Sequence, residues 1–387
     1  LDSGNCTPCK IFEHVENNEC VQSTCKEGCE NCLSINGSCI YCKPGYILNN
    51  SECQRCDGNT YSFGGNQSMA KKKMILDLDT GVDDALALAY AVADPEVDLI
   101  GIVASYGNNL LDVCAENSLK LLELLGQTDV PVYKGLPHSS TTDSFEVMQV
   151  SKDIHGNNGI GDVELPTPKR AVEAESGVDF YIEAAHKYGK DLIIIPTGPM
   201  TNLAAALEKD PEIAHLIGNV TFMGGALTVE GNVTDVAEAN INQDAKAANT
   251  VLQSDLPLTM VGLDVTLRTL LTKKETQQWR DLGTKAGKAY ADITDFYIDA
   301  YYNLDIDKNG CALHDPLAVG VSIDPTFVQT ISLFMKVDYG EHNYGRTIGD
   351  NSRLNDPNPN VKVAVNVDKE RYLKVFMERL NSVLKEH

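Results

Sequence analysis

The sequence predicts an α/β protein: a mostly parallel β-sheet flanked by helices and preceded by a small disulfide-rich module. Two patterns lead to this prediction. Ten of the 12 cysteines lie before residue 57, and the remaining two lie far apart in the rest of the 387-residue chain. After residue 73, short apolar runs alternate with longer amphipathic or Ala-rich segments, as expected for parallel strands joined by helices. Such different halves predict separate domains, which we place at 1–62 and 73–387 with a linker at 63–72.

The first segment has too many cysteines and too few large apolar residues to fold without cross-links. An even number allows five disulfides, although the sequence does not select their pairing. Zinc is the alternative, because the Cys-x-x-Cys pairs that begin at Cys29 and Cys39 have the spacing of a four-thiolate site. The spacing resembles the growth-factor-receptor-like (furin-like) cysteine-rich repeats of eukaryotic surface proteins. A role in adhesion or as a spacer is open.

Glycosylation sequons support an oxidising compartment for this protein. Four Asn-x-Ser/Thr triplets fall in the first 68 residues, at Asn5, Asn36, Asn49 and Asn66. We therefore expect an extracellular, cell-surface or endomembrane-lumen location. The first residues lack the charged start and apolar stretch of a secretory leader, so we expect that a leader was removed or that the sequence begins within a longer chain. No apolar run approaches the ~18 residues that span a bilayer.

The charge excludes two classes of partner. The chain carries 32 Lys and Arg against 55 Asp and Glu, a formal net charge of −23. A nucleic-acid-binding protein needs a basic face that releases phosphate counterions. A protein held on an anionic membrane surface also needs basic residues. We therefore expect neither partner.

The second domain is predicted to contain at least six strands and four helices. The predicted strands are 74–76, 99–104, 130–133, 192–195, 220–223 and 258–261. The predicted helices include 85–93, 114–125, 178–188 and 245–252. Parallel strands carry ligand chemistry at their carboxyl ends, so functional residues should follow the apolar runs directly.

Four carboxylates follow the first of these strands, in Asp77-Leu-Asp79-Thr-Gly-Val-Asp83-Asp84. They would repel one another unless a cation compensates, and their hard oxygens suit Ca²⁺ or Mg²⁺. A haloacid-dehalogenase-type phosphatase start is a weaker alternative, since its Thr would be one place early here. The stretch 305–310 resembles an EF-hand opening, but Pro316 replaces the Glu at its twelfth position, so we predict a turn before a helix.

Later motifs also lie at predicted strand ends. They are Gly107-Asn108, Asp153-Ile-His155-Gly156, Thr197-Gly-Pro-Met-Thr-Asn202, Met223-Gly-Gly225, Gly231-Asn232, Glu238-Ala-Asn240 and His314-Asp315-Pro316. With the Asp-rich start, they resemble the inosine-uridine nucleoside hydrolase family, in family order and over roughly residues 72–385. Leu78 and Thr80 depart from the family pattern, but neither carries chemistry.

The resemblance implies hydrolysis of the N-glycosidic bond of ribonucleosides, with one Ca²⁺. Asp79, Asp84, Asp315 and the main-chain carbonyl of Thr197 are the implied ligands. Asp79 is also the implied general base, which fits the chemistry of a metal-bound water. His314 is the implied acid for the departing base. Family members are usually homodimers or homotetramers, so we expect a homo-oligomer.

Further positions are implied to hold the substrate. For the ribose these are Asp83, Asn108, Asn232, Glu238 and Asn240. Asn232 lies in a sequon, and a glycan there would block the pocket, so we expect it to be unmodified.

For the base, the resemblance implies aromatic residues on a helix. Tyr297 and Tyr301 lie at i, i+4; base contact and plain packing are both open for them, and His155 is open between the base and a loop. Cys114 and Cys311 are predicted to be buried apolar residues.

A rival interpretation keeps the fold but not the activity. In it, the protein is a surface or adhesion protein that uses an inactive hydrolase fold as a scaffold. Every implied acid of the first coordination layer is present, which a scaffold would not need, so an enzyme is favoured.

Overall fold

The computed structural model describes residues 71–387 in full and, before them, only the backbone of eight short strands between residues 13 and 70. The chain divides into two compact units, Leu1–Lys72 and Lys73–His387.

The first unit contains β-hairpins. Its strands are β1 Glu13–Glu16, β2 Glu19–Gln22, β3 Cys29–Cys32, β4 Cys39–Cys42, β5 Tyr46–Asn49, β6 Glu52–Arg55, β7 Thr60–Tyr61 and β8 Met69–Ala70. They pair antiparallel in sequence order, and in the second hairpin the backbone of Cys29 lies opposite Cys42. No side chains are described before residue 71, so the predicted disulfides, the zinc alternative and the four N-terminal sequons stay predictions, and most of the linker lies outside the described residues.

The second unit is built around one eight-stranded sheet. The remaining strands are β9 Lys72–Leu78, β10 Val97–Ala104, β11 Val132–Lys134, β12 Leu192–Pro196, β13 Asn219–Met223, β14 Leu258–Val261, β15 Leu270–Leu271, β16 Cys311–Ala312, β17 Val328–Leu333, β18 Met335–Asp338, β19 Arg346–Gly349 and β20 Val361–Val367. The sheet order is β11-β10-β9-β12-β13-β14-β20-β17. Pairing is parallel between β10 and β11 and from β9 through β12, β13 and β14 to β20, whereas β17 is antiparallel to β20.

Helices connect these strands and cover the sheet. They are α1 Val82–Ala93, α2 Leu111–Leu124, α3 Gln149–His155, α4 Gly177–Tyr188, α5 Thr201–Lys209, α6 Ile213–Leu216, α7 Ala239–Gln243, α8 Ala245–Leu252, α9 Leu263–Thr266, α10 Lys273–Asp281, α11 Lys285–Asn303, α12 His314–Ile323 and α13 Lys369–Glu386. No helix in residues 71–387 is both long and apolar enough to cross a membrane.

The two faces of the sheet lie in separate apolar cores, which confirms the predicted helical cover on both sides. Along β9, Met74 and Leu76 belong to the core formed with α1, α2, α11, α12 and α13, whereas Ile75 belongs to the core formed with α4, α5 and α8. Because side chains alternate along a strand, a central strand covered on both faces carries apolar residues at consecutive positions, as Met74, Ile75 and Leu76 do. All six predicted strands and all four predicted helices are confirmed, with ends that move by up to three residues.

Two details concern the later part of the chain. Residues 304–310 form turns, as predicted for the EF-hand-like stretch, and β16 and then α12 follow. His314 and Asp315 are therefore the first two residues of α12. The predictions for Cys114 and Cys311 are confirmed, since both are free and fully buried.

Candidate active site

The acidic segment forms the turn between β9 and α1. The strand ends at Leu78, and the helix begins at Val82, so Asp83 and Asp84 occupy the first helical turn. Carboxylates are favoured there because the amide groups of a helix N-terminus carry partial positive charge. Asp84 Oδ2 accepts the main-chain N–H of Gly81 at 2.7 Å, which closes the turn.

Asp79 is buried and only half satisfied. Its Oδ2 accepts the main-chain N–H of Asn108 at 2.7 Å. Its Oδ1 has no hydrogen-bond partner in the described part of the chain. Two glycines make room for this carboxylate: a Cβ at Gly107 would lie 2.1 Å from Asp79 Oδ2, and one at Gly198 would lie 3.0 Å from its Cγ.

Three further carboxylates converge at the same sheet edge. One oxygen each of Asp83, Asp84 and Asp315 lies within 4.8 Å of the others, and all three residues are buried. Asp84 Oδ1 also accepts the Thr197 hydroxyl at 2.7 Å, and its Oδ2 accepts the Asn108 amide at 3.2 Å. The structure thus places Asp83, predicted to bind ribose, within the cluster formed by the predicted ligands Asp84 and Asp315.

Burial and mutual repulsion make this cluster unfavourable as a set of bare anions. Burial, with a further contribution from neighbouring carboxylates, raises the pKa of Asp79 and of Asp315 well above the usual range. Burial raises the pKa of Asp83 to about 7 and that of Asp84 to about 6. In the described residues, Asp83 Oδ1, like Asp79 Oδ1, is a buried oxygen without a hydrogen-bond partner. Crowded, unpaired, hard oxygens fit a divalent cation such as Ca²⁺ or Mg²⁺.

Thr197 and Asn240 link the acidic cluster to the next strand end. Thr197 follows β12, and its main-chain carbonyl accepts the Asn240 amide at 2.6 Å. The same amide also donates to the Met223 carbonyl at 3.2 Å, at the end of β13. The Thr197 carbonyl, a predicted ligand, and Asn240 therefore lie in direct contact.

Glu238 caps the N-terminus of α7 and is buried. Its carboxylate accepts main-chain N–H groups of Gly225, Asn240 and Ile241 at 2.9 to 3.2 Å. Burial raises the pKa of Glu238. Asn232 lies beside it but is exposed, and its Oδ1 accepts the Ala239 N–H at 3.0 Å.

A chain of hydrogen bonds reaches the acidic cluster from α11 and α12. His314 Nε2 lies 2.8 Å from the Tyr301 hydroxyl, which lies 3.3 Å from the Tyr297 hydroxyl. Tyr297 in turn donates to Asp83 Oδ2 at 3.5 Å. The tyrosine pair predicted at i, i+4 therefore connects the imidazole to the carboxylates, and both rings are buried.

His155 ends α3 and lies on the other side of Tyr297. The two rings stack with centroids 5.3 Å apart, and His155 Nδ1 lies 3.9 Å from Asp83 Oδ1. His155 Nδ1 accepts the Val82 N–H at 3.2 Å, so the ring is neutral with its proton on Nε2. Burial lowers the pKa of His155 to about 3, with a smaller contribution from His314.

Two polar residues near the site were not assigned a role from the sequence. Asp77 faces the opposite core: its carboxylate accepts the Tyr181 hydroxyl at 2.7 Å and the Asn202 amide at 3.2 Å. Burial raises the pKa of Asp77 to about 7. Thr266, at the end of α9, contacts His314 Nδ1 at 2.8 Å. The alternation along β9 gives some signal for Asp77, but no local pattern marks Thr266.

Comparison with known proteins gives a consistent result. Residues 74–374 match the family described as inosine-uridine preferring nucleoside hydrolase. The probable uridine nucleosidase 2 of Arabidopsis thaliana is 33% identical over 317 residues, covering 80% of this chain and 98% of that protein. The pyrimidine-specific ribonucleoside hydrolase RihA of Escherichia fergusonii is 32% identical over 308 residues, covering 79% of this chain and 97% of that protein.

A solved structure shares both fold and sequence with this chain. The purine-preferring ribonucleoside hydrolase from Gardnerella vaginalis is 57% identical and superposes with a TM-score of 0.81. The match covers 82% of this chain and 100% of that one. The unmatched part of this chain is about the size of its first unit.

Proposed function

The chain belongs to the inosine-uridine preferring nucleoside hydrolase family, and from that premise we propose that it hydrolyses the N-glycosidic bond of ribonucleosides. The products are ribose and a free purine or pyrimidine base. The protein is an enzyme, a nucleoside hydrolase. The observation that carries the proposal is the buried carboxylate cluster, in which Asp79 Oδ1 and Asp83 Oδ1 have no hydrogen-bond partner among residues 71–387.

The proposed cofactor is Ca²⁺, held by Asp79, Asp84, Asp315 and the Thr197 carbonyl. The support is the geometry of the buried carboxylates, since one oxygen each of Asp83, Asp84 and Asp315 lies within 4.8 Å of the others. Burial raises the pKa of Asp79, Asp84 and Asp315, so a positive charge beside them would favour their ionised forms. When bound, a divalent cation keeps these carboxylates ionised and lowers the pKa of a nearby water.

Asp79 is proposed as the general base. It removes a proton from the attacking water while the water oxygen bonds to C1′ of the ribose. The bond between C1′ and the nitrogen of the nucleobase breaks, and its electron pair leaves with the nucleobase. The transition state is oxocarbenium-like, so the surrounding carboxylates stabilise the positive charge that develops on the sugar.

His314 is proposed to assist the departing nucleobase through Tyr301: its ring hydrogen-bonds to the Tyr301 oxygen, the Tyr301 hydroxyl hydrogen-bonds to the negative charge that develops on the nucleobase, and the released nucleobase takes its proton from solvent. The support is the hydrogen-bond chain from His314 through Tyr301 and Tyr297 to Asp83. His155, stacked on Tyr297, is proposed to border the base. The base itself is proposed to contact Tyr297 and Tyr301.

The ribose hydroxyls are proposed to contact Asp83, Asn108 and Asn240, and the 5′-hydroxyl to contact Asn232 and Glu238. Asn232 is the exposed member of this set. We propose that it carries no glycan, and mass-spectrometric mapping of a glycan to Asn232 would contradict its role.

Purine ribonucleosides are proposed as the better substrates. The support is the 57% identity to a purine-preferring hydrolase, against 32–33% to the pyrimidine-type relatives. Measuring kcat/KM for inosine, guanosine, adenosine, uridine and cytidine checks this, and a clear preference for uridine or cytidine would overturn it.

The activity is tested by incubating the full chain with inosine or uridine in CaCl₂ and measuring reducing sugar. We expect ribose release, and an Asp79→Asn variant should lose about 10²-fold or more in kcat. Asp255→Asn is the matched control, because Asp255 lies on the surface with its side chain 80% exposed. No ribose from any common ribonucleoside would refute the enzyme, and full activity of Asp79→Asn would refute the assigned base.

Location and assembly are proposed from the sequence and the family. The cysteines and sequons support an extracellular, cell-surface or lumenal enzyme, and the family supports a homodimer or homotetramer. Fractionation of the source cells tests the first, and light scattering of the purified protein tests the second. A cytosolic pool with reduced cysteines, or a monomer at micromolar concentration, would contradict them.

A further inference from the structure

We propose that Thr266 is a positioning residue that fixes the tautomer of His314, so that Tyr301 presents its hydroxyl proton toward the departing base. The inference rests on the proposed function, since it concerns the same leaving-group side of the site. It is carried by the hydrogen bonds of three buried side chains, Thr266, His314 and Tyr301.

Among the described residues, the Thr266 hydroxyl has one hydrogen-bond partner. The side chain is fully buried, and among the residues that the structure describes its Oγ1 has one partner, His314 Nδ1 at 2.8 Å. If Nδ1 carried a proton and donated, the Thr266 proton would be buried without an acceptor, which costs about 1–3 kcal/mol. Thr266 therefore donates, and Nδ1 accepts.

The opposite ring nitrogen then carries the imidazole proton. A neutral imidazole has one donor and one acceptor, so an accepting Nδ1 leaves the proton on Nε2. Nε2 lies 2.8 Å from the Tyr301 oxygen and donates to it. The partners of both ring nitrogens are hydroxyl groups. Among the described residues no carboxylate is hydrogen-bonded to Nδ1, where it would hold the imidazole proton on that nitrogen instead.

This order decides what Tyr301 can do. With its oxygen accepting from His314, Tyr301 keeps its own proton free to donate forward, to Tyr297 at 3.3 Å or to a bound base. Tyr297 then donates to Asp83 at 3.5 Å. In the other tautomer Tyr301 would donate backward to Nε2, and no proton would face the negative charge that develops on the leaving base.

Two variants separate this role from simple packing. Thr266→Val keeps the branched shape but removes the donor, whereas Thr266→Ser keeps the donor. The first readout is the tautomer of His314, measured by ¹⁵N NMR of the full chain with His314→Gln to assign its signals. We expect an Nε2–H tautomer in the parent protein and in Thr266→Ser, and loss of that preference in Thr266→Val.

The second readout compares two substrates. With inosine, Thr266→Val should lower kcat about 10²-fold with KM changed less than about three-fold, and Thr266→Ser should restore most of the rate. With p-nitrophenyl ribofuranoside, whose leaving group departs as a stable anion, all three proteins should react at similar rates.

The outcomes are distinguishable. An unchanged inosine kcat in Thr266→Val, an equal loss with both substrates, or an Nδ1–H tautomer in the parent protein would each overturn the role of Thr266. If the parent protein cleaves no ribonucleoside, the proposed function itself fails, whereas a failure confined to the variants concerns Thr266 alone.

Discussion

A methyl group at Gly107 tests how closely the site depends on the position of Asp79. Gly107 follows β10 with a φ of +154°, a conformation that L side chains rarely adopt. A Cβ there would lie 2.1 Å from Asp79 Oδ2 and 2.8 Å from Gln243 Oε1. Carbon and oxygen atoms normally stay more than about 3 Å apart, so the Asp79 carboxylate must move by roughly 1 Å.

The structure sets the expected size of the effect. A shift of that size breaks the 2.7 Å hydrogen bond from Asn108 to Asp79 Oδ2, worth about 1.5–3 kcal/mol for a charged acceptor. The strained φ adds roughly 1–3 kcal/mol. Gly107→Ala should therefore lower the free energy of unfolding by about 2.5–6 kcal/mol. Misplacing a catalytic group by about 1 Å can cost 10²-fold in kcat.

Gly189→Ala is the matched control. Gly189 also has a positive φ, +53°, but a Cβ there would contact nothing within 4 Å. This variant should lose only the conformational preference, roughly 1–3 kcal/mol because the ψ of −127° at Gly189 lies outside the left-handed helical region, and keep full activity. Urea unfolding and ribose release from inosine, measured on both variants, give the comparison. Equal activity of Gly107→Ala and Gly189→Ala would refute the inference that Asp79 needs this glycine.

Three other predictions use the buried groups around the site. Burial raises the pKa of Asp77 and Asp83 to about 7, so these two carboxyl groups bind their protons more tightly in the folded protein than in the unfolded chain. In EDTA, the free energy of unfolding should therefore fall by roughly 1 kcal/mol per carboxyl group between pH 6.5 and 8, and the melting temperature should fall with it. Adding CaCl₂ should raise the melting temperature more at pH 8 than at pH 6.5. A melting temperature in EDTA that rises over this interval would contradict the sign. His155→Phe should cost about 1–3 kcal/mol in urea unfolding, because the buried Val82 N–H loses its acceptor; an unchanged unfolding midpoint would count against that bond. Asp77→Ala should lower the free energy of unfolding by about 2–5 kcal/mol in the same assay, because buried donors, including the Tyr181 hydroxyl, lose their hydrogen-bond acceptor. A decrease below about 1 kcal/mol would mean that the hydrogen bonds of Asp77 contribute little to stability.

The two buried histidines oppose this fall but do not reverse it. Burial lowers the pKa of His155 to about 3 and that of His314 to about 4. Both side chains are therefore neutral in the folded protein, whereas about half of each is protonated in the unfolded chain at pH 6.5. Raising the pH to 8 removes those protons and adds roughly 0.4 kcal/mol of stability per histidine, less than each carboxyl group loses, so a net fall of roughly 1 kcal/mol is expected.

The elements of the sheet were predictable because their periodicity is local. Each central strand is an apolar run closed by a polar turn, and each helix repeats its apolar positions every three or four residues. β20 and β17 were not predicted. Only Val328 of β17 is fully buried, and residues 329–332 are exposed, so the strand lacks the apolar pattern of a central strand. Its antiparallel pairing with β20 depends on contacts distant in sequence.

The candidate site also contains a part that local spacing predicts and a part that depends on elements distant in sequence. Asp79, Asp83 and Asp84 lie in the short segment from the end of β9 to the first turn of α1, so their spacing in the sequence alone places them together. The arrangement of His314 is different, because its partners come from α9 and α11, 48 and 13 residues earlier in the chain. No local pattern in the sequence specifies which hydroxyl meets which ring nitrogen.

The sequence by itself determined the α/β class, the positions of the acidic turn and of the later motifs, and the resemblance that named the chemistry. These follow from local spacing, which survives in a one-dimensional pattern. The tertiary structure decided which groups are buried, which buried oxygens of residues 71–387 lack a hydrogen-bond partner and which hydroxyls contact the two ring nitrogens of His314. Those properties depend on the packing of distant elements, because burial and hydrogen bonding are set by three-dimensional neighbours. Asp77 and Asp79 illustrate the difference: they are two residues apart, yet one faces Tyr181 and Asn202, and the other lies with the acidic cluster.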